Sequence, residues 1–247
     1  MRLYLEGGDA RAAYLAEMLK ENGHIIAREG PWDFVVLSLP RSKIPEEIMD
    51  QLPAGQKILC GTLSDADWKM AQEKGWILKN ILLDTRFTQE NAVFTAEGAV
   101  FAAMRHADFA LSRARCAVIG YGRIGRTLTD MLRGLGAQVT VAARRMESRA
   151  AAGPGSMPID ELPLLFPHVQ LVFNTVPAQI IKNEWLKKLP EDAILIELAS
   201  PPYGLDLAYA QGLGLRAWLE SGLPGRYCPK SAAAAMLAYL EREGKQS

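Results

Sequence analysis

The sequence predicts an α/β protein built on two parallel sheets. Strand and helix signals alternate almost from the first residue, the order that crossover helices between parallel strands produce. Residues 33–39, Asp-Phe-Val-Val-Leu-Ser-Leu, form a nearly continuous apolar run, as in a strand buried on both faces. A glycine-rich turn, Gly120-Tyr121-Gly122-Arg123-Ile124-Gly125, joins an apolar strand to an amphipathic helix.

Taken in order, residues 2–6 read as a strand, followed by Gly7-Gly8-Asp9 and a helix to Glu21 that Gly23 ends. Short strands follow at 24–28 and 33–39, and a helix at 44–52 is entered through Pro45. Residues 57–60, 66–74 and 76–83 repeat strand, helix, strand, which closes a first unit of about 86 residues. A longer helix is predicted over 91–112, with Val93, Val100, Met104, Ala107 and Leu111 recurring as one apolar stripe. Glu97 falls inside that stripe. The second unit starts at Arg115, with strands at 116–119, 138–142, 171–174, 193–198 and 216–219. The Ala- and Gly-rich segment 150–157 predicts an abbreviated second crossover. A last helix is predicted over 229–243, crossing back onto the first domain. The expected boundaries are 1–88, 89–227 and 228–247.

The chain has 247 residues, 28 basic and 28 acidic, for a formal charge of zero. Nucleic-acid binding is not expected, because neutralising phosphates needs a surplus of Lys and Arg. No apolar run reaches the roughly 18 residues of a membrane span, and an acid and two glycines come too early for a signal peptide. Cys60, Cys116 and Cys228 have no CxxC or Cys/His spacing, and His24, His106 and His168 are isolated, so neither a metal site nor a disulfide framework is expected. These features predict a cytoplasmic protein.

The glycine turn follows Cys116-Ala117-Val118-Ile119 and opens a helix whose Ile124, Leu128, Met131, Leu132 and Leu135 share one face. In that setting it reads as a Rossmann dinucleotide site, with Gly120 for the tight turn, Gly122 for close approach to a pyrophosphate and Gly125 for helix–strand packing. Arg123 is a further candidate for a phosphate. An NAD site usually ends the next strand in Asp or Glu; here Ala143, Arg144 and Arg145 stand there, and the first acid is Glu147. An arginine fork matches a 2′-phosphate, so the sequence predicts NADP, with NAD as the alternative.

These residues carry a specific resemblance. Thr95-Ala96-Glu97-Gly98, the stretch from Ala117 to Arg145, Asn174-Thr175-Val176-Pro177-Ala178, Glu197-Leu198-Ala199-Ser200-Pro201-Pro202, Gly222-Leu223-Pro224-Gly225 and Pro229-Lys230-Ser231-Ala232 resemble, in order, the dipicolinate synthase family, in its A-type subunit. The opening Gly7-Gly8-Asp9-Ala10-Arg11 does so too. Glu197 stands where the family usually has Asp, Pro201 where it has Lys, Tyr203 where it has Gly and Ser231 where it tends to have Thr, while Arg226-Tyr227-Cys228 is bulkier than usual. The resemblance implies a flavodoxin-like first domain and a Rossmann second domain. It further implies oxidation of dihydrodipicolinate to pyridine-2,6-dicarboxylate with a nicotinamide dinucleotide, during sporulation, beside a flavoprotein-like second subunit.

On this reading Thr175, Val176 and Pro177 join the cofactor site. Glu97, Asn174, Ser200 and Lys230 are expected to meet between the two domains near the nicotinamide, with Glu97 as proton acceptor or as the group that orients one, its pKa raised if it is buried, and Lys230 holding a carboxylate of a small dicarboxylate substrate. A homodimer is expected through the two Ala-rich helices. Two other readings stay open: a two-domain NADP-dependent dehydrogenase related to 2-hydroxyacid dehydrogenases, which commonly pair a His with an acid, and a dinucleotide-binding subunit without chemistry.

Overall fold

The computed structural model describes residues 1–245. Its contacts divide the chain into two compact units, residues 1–94 with the chain from Pro224 onward, and Thr95–Leu223.

The first unit holds β1 (Arg2–Leu5), α1 (Ala10–Glu21), β2 (Ile25–Ile26), β3 (Phe34–Val36), α2 (Glu46–Met49), β4 (Lys57–Cys60), α3 (Asp65–Glu73) and β5 (Ile77–Asn80). The strands form one parallel sheet in the order β2-β1-β3-β4-β5, the flavodoxin-like arrangement. Asp9 caps α1 by accepting from the Ala12 amide at 2.8 Å. One face of the sheet packs Leu3, Phe34, Val36 and Leu59 with Leu15 and Leu19 of α1. The other packs Val35, Leu37 and Ile58 with Trp32, Ile44, Ile48 and Trp76.

Helix α4 (Thr85–His106) runs from the first unit into the second. It starts and ends six residues before the predicted helix. Its buried side is Ala92, Thr95, Ala96, Ala99, Ala102 and Ala103, while Val93, Phe101 and Met104 are exposed. The predicted stripe therefore faces outward, and Ala107 and Leu111 lie beyond the helix. Hydropathy alone favoured the larger residues, but short side chains occupy the buried face from Ala92 to Ala103.

The second unit continues with β6 (Arg115–Ile119), α5 (Arg123–Gly134), β7 (Gln138–Ala142), α6 (Met146–Ala152), β8 (Ser156–Met157), α7 (Leu162–Leu165), β9 (Leu171–Asn174), α8 (Asn183–Leu186), β10 (Ile194–Glu197), α9 (Leu207–Gly212) and β11 (Arg216–Leu219). All pairs are parallel, in the order β11-β10-β9-β6-β7-β8. This is the Rossmann order, with the strand order reversing beside β6. The two-residue β8 has no counterpart in the sequence reading, because so short an edge strand carries no periodicity. Phe166, Val172, Trp185, Leu186 and Leu195 fill one face of the sheet.

The chain then returns through α10 (Leu223–Tyr227) to α11 (Pro229–Lys245). Ala233, Met236, Tyr239 and Leu240 of α11 join the Leu15–Leu19 side of the first core. Arg242 Nη2 donates to Asp84 Oδ1 at 3.0 Å within the same unit.

Candidate functional site

The carboxyl ends of β6, β7 and β9 frame a cleft of about 280 Å³ in the second unit. It is lined by Gly120, Tyr121 and Gly122, by Ala143, Arg144, Arg145 and Ser148, and by Thr175, Val176, Pro177 and Ala178. Gly120 has φ +95°, and a Cβ there would lie 2.5 Å from Thr175 Oγ1. Thr175 is held in turn, donating from both its amide and its hydroxyl to the Ile119 carbonyl at 2.9 Å. A Cβ on Gly122, by contrast, meets nothing within 4 Å. Gly122 precedes α5 without a side-chain cap, which leaves the first-turn N–H groups for an anion. A crowded turn beneath an open, uncapped helix start fits a pyrophosphate.

Eight of the eleven expected cofactor residues line this cleft: Gly120, Tyr121, Gly122, Arg144, Arg145, Thr175, Val176 and Pro177. Arg123, Ile124 and Gly125 form the first turn of α5, with Arg123 exposed and Gly125 buried. The sequence reading did not find Ser148, four residues after Arg144, or Arg149. Arg149 Nη1 donates to the Ala143 carbonyl at 3.0 Å and to that of Arg144 at 2.7 Å. It holds the loop that presents the two arginines, a role no motif signals.

Of the expected catalytic set, Glu97, Asn174 and Ser200 belong to the second unit and Lys230 to the first. Asn174 is buried and its amide is engaged: Nδ2 donates to Glu197 Oε1 at 2.7 Å and to the Val176 carbonyl at 3.0 Å, and Oδ1 accepts from the Val176 amide at 3.2 Å. Asn174 therefore braces the cleft wall rather than facing a substrate. Glu97 is exposed, not buried, and shares a groove with Phe101, Met104, Met131, Gly134 and Leu135. That groove lies toward the C-terminal end of α5, and the glycine turn is at its N-terminal end. Exposure on the outward face of α4 accounts for a Glu in an apolar stripe. Ser200 is exposed, three residues beyond β10. Lys230 is exposed in the first turn of α11, in the other unit.

Glu197 is the central polar group that sequence reasoning treated only as a family departure. It is fully buried at the end of β10, in register with Asn174 of β9. Oε1 also accepts from the Ala199 amide at 2.8 Å, and Oε2 from the Gly204 amide at 2.9 Å. Burial pushes the carboxyl pKa up, opposed by these hydrogen bonds and one from the Leu205 amide. Gly204 has no room for a side chain, since a Cβ would stand 2.2 Å from Asn174 Nδ2. Tyr203 holds φ +61°, at the position where the resembled motif has Gly.

Elsewhere in the second unit, His106 Nε2 lies 3.2 Å from Glu220 Oε1, and its ring stacks on Trp218 with centroids 3.8 Å apart. Arg216 donates to the His106 carbonyl and pairs with Asp108 at 3.7 Å. Among the described residues no group of three or more His, Cys, Asp or Glu could hold a metal ion. No described helix is long and apolar enough to cross a membrane.

Residues 80–201 match the NAD-binding domain of D-isomer specific 2-hydroxyacid dehydrogenases. The A-type subunit of dipicolinate synthase from Bacillus subtilis (strain 168) is 33% identical over 155 residues, 62% of this chain and 52% of that protein, so the match spans about half its length. The crystal structure of the same subunit from Bacillus halodurans superposes with TM-score 0.87 at 24% identity, over 98% of this chain and 96% of that one. Escherichia coli D-lactate dehydrogenase gives TM-score 0.66 at 12% identity, over 100% and 98% of the two chains. By sequence and by fold the chain resembles the A-type subunit of dipicolinate synthase, and its second unit, most of which lies within the matched residues 80–201, has the dinucleotide-binding Rossmann fold.

Proposed function

We propose that the protein is an NADP-dependent oxidoreductase that oxidises dihydrodipicolinate to dipicolinate. The observation that carries the reading is the set Arg144, Arg145 and Ser148 at the end of β7, beside the Gly120–Gly122 turn. Two guanidinium groups and a hydroxyl suit a 2′-phosphate, and no carboxylate lines that part of the cleft to repel it. The similarity to dipicolinate synthase supports the substrate.

When bound, the nicotinamide supplies the hydride acceptor. The substrate loses one hydride and one proton and becomes an aromatic ring, so the chemistry needs alignment more than strong acid–base catalysis. Thr175–Ala178 forms the wall against which the ring aligns. Ser200 and Lys230 are assigned to substrate carboxylates. The protein would act as a homodimer in the cytoplasm of sporulating cells, beside a second subunit.

The test is turnover by purified protein with dihydrodipicolinate and each cofactor, following cofactor reduction and dipicolinate together. Formation of both with NADP supports the reading. Tight cofactor binding without turnover would leave a non-catalytic subunit in its place. The His106–Glu220 pair favours a second reading, a 2-hydroxyacid dehydrogenase. Activity on D-lactate or a related 2-hydroxyacid, absent with dihydrodipicolinate, would establish it.

A further inference from the structure

Glu197 is a buried carboxyl whose partners are all neutral. Asn174 and the Ala199 and Gly204 amides surround it at 2.7–2.9 Å, and it forms no ion pair with any described Lys, Arg or His. The N–H groups of Asn174, Ala199, Gly204 and Leu205 favour the ionised form, against the burial that raises the carboxyl pKa. A buried charge without a counter-ion is costly, and a structural brace could be built without one.

Its position suggests a use. The carboxylate stands two hydrogen bonds behind the cleft wall, through Asn174 Nδ2 to the carbonyl of Val176. Val176 lines the cleft on the β9 side, whereas Arg144, Arg145 and Ser148 line it on the β7 side. A dinucleotide with its 2′-phosphate at β7 and its pyrophosphate on the Gly120–Gly122 turn places its nicotinamide on the β9 side. The oxidised ring is a cation and the reduced ring is neutral.

We propose that Glu197 is a positioning residue that keeps a fixed negative charge behind the nicotinamide end of the cleft, and so favours the oxidised dinucleotide over the reduced one. This rests on the dinucleotide reading above and adds a direction to it: the site is set to receive an oxidant. Through Asn174 the same carboxylate holds the Thr175–Ala178 wall, and through Ala199 and Gly204 it holds the loop after β10. Position and charge are separate contributions, and variants can separate them.

The experiment measures dissociation constants for NADP⁺ and NADPH by calorimetry, in the unmodified protein and in Glu197→Gln and Glu197→Asp. Binding of neither form by the unmodified protein overturns the dinucleotide reading itself. If both bind, Glu197→Gln is expected to weaken NADP⁺ relative to NADPH by about tenfold, the scale of one unit charge across a protein interior. Glu197→Asp keeps the charge and shortens the brace, so it should weaken both forms together and leave their ratio unchanged. Equal losses in Glu197→Gln, or no change, overturn the proposal. Should Glu197→Gln not fold, the same ratio is read in the unmodified protein as pH falls. No other charged side chain lies against the carboxyl to titrate with it among the described residues, and the cofactor phosphates are common to both forms. The preference for NADP⁺ should decline as the carboxyl protonates, and a ratio constant with pH overturns the proposal.

Discussion

A Cβ built on Gly125 would lie 2.1 Å from the carbonyl oxygen of Gly120. The third glycine of the turn thus exists for the first: the start of α5 presses on the backbone that the pyrophosphate must approach. Gly125→Ala should force the turn and helix apart, costing about 1–3 kcal/mol of stability as overpacking does. Cofactor affinity should fall at least tenfold. Thermal unfolding and calorimetric titration check both, and unchanged cofactor affinity would count against the turn as the phosphate site.

Arg144 is expected to decide between the two nicotinamide cofactors. Arg144→Asp removes one arm of the fork and places a carboxylate beside it. NADP binding should weaken by about 1–3 kcal/mol, with NAD little affected. Titration of both cofactors is the measurement. Equal affinity for NAD and NADP in the unmodified protein would remove the basis of the NADP assignment.

Lys230→Ala should raise KM for dihydrodipicolinate severalfold and leave kcat within about twofold, because uniform substrate binding is lost. Glu97→Gln should change neither, given its place in the groove along α5. A fall in kcat in Glu97→Gln would restore Glu97 to the reaction.

The thiols give a stability-independent check on the packing. Burial pushes the pKa of Cys60 up to about 11 and that of Cys116 to about 12, so neither is a thiolate at pH 8. Cys228 is half-buried. An aromatic disulfide reagent should titrate at most one thiol quickly in the native protein and three after denaturation.

The exposed Phe101, Met104 and Leu135 leave an apolar surface on the second unit. Light scattering should report about twice the 27.1 kDa of one chain. A mass of one chain that does not change with concentration rejects the homodimer.

The features legible in the sequence are local. The phosphate turn, its flanking strand and helix, and the arginines of the next loop all lie within about thirty residues, and each can be read because backbone geometry constrains neighbouring residue types. The alternation of strands and helices likewise reports burial along the chain. Folding settled what pairs across it. Asn174 and Glu197 are 23 residues apart and meet only because β9 and β10 are adjacent and in register. His106 and Glu220 are 114 residues apart. The outward face of α4 was equally invisible, since a helical period shows that two faces differ and not which one is covered. A strand end places its last side chain beside that of a neighbour chosen by sheet order, so the braces behind the site belong to the fold rather than to any motif.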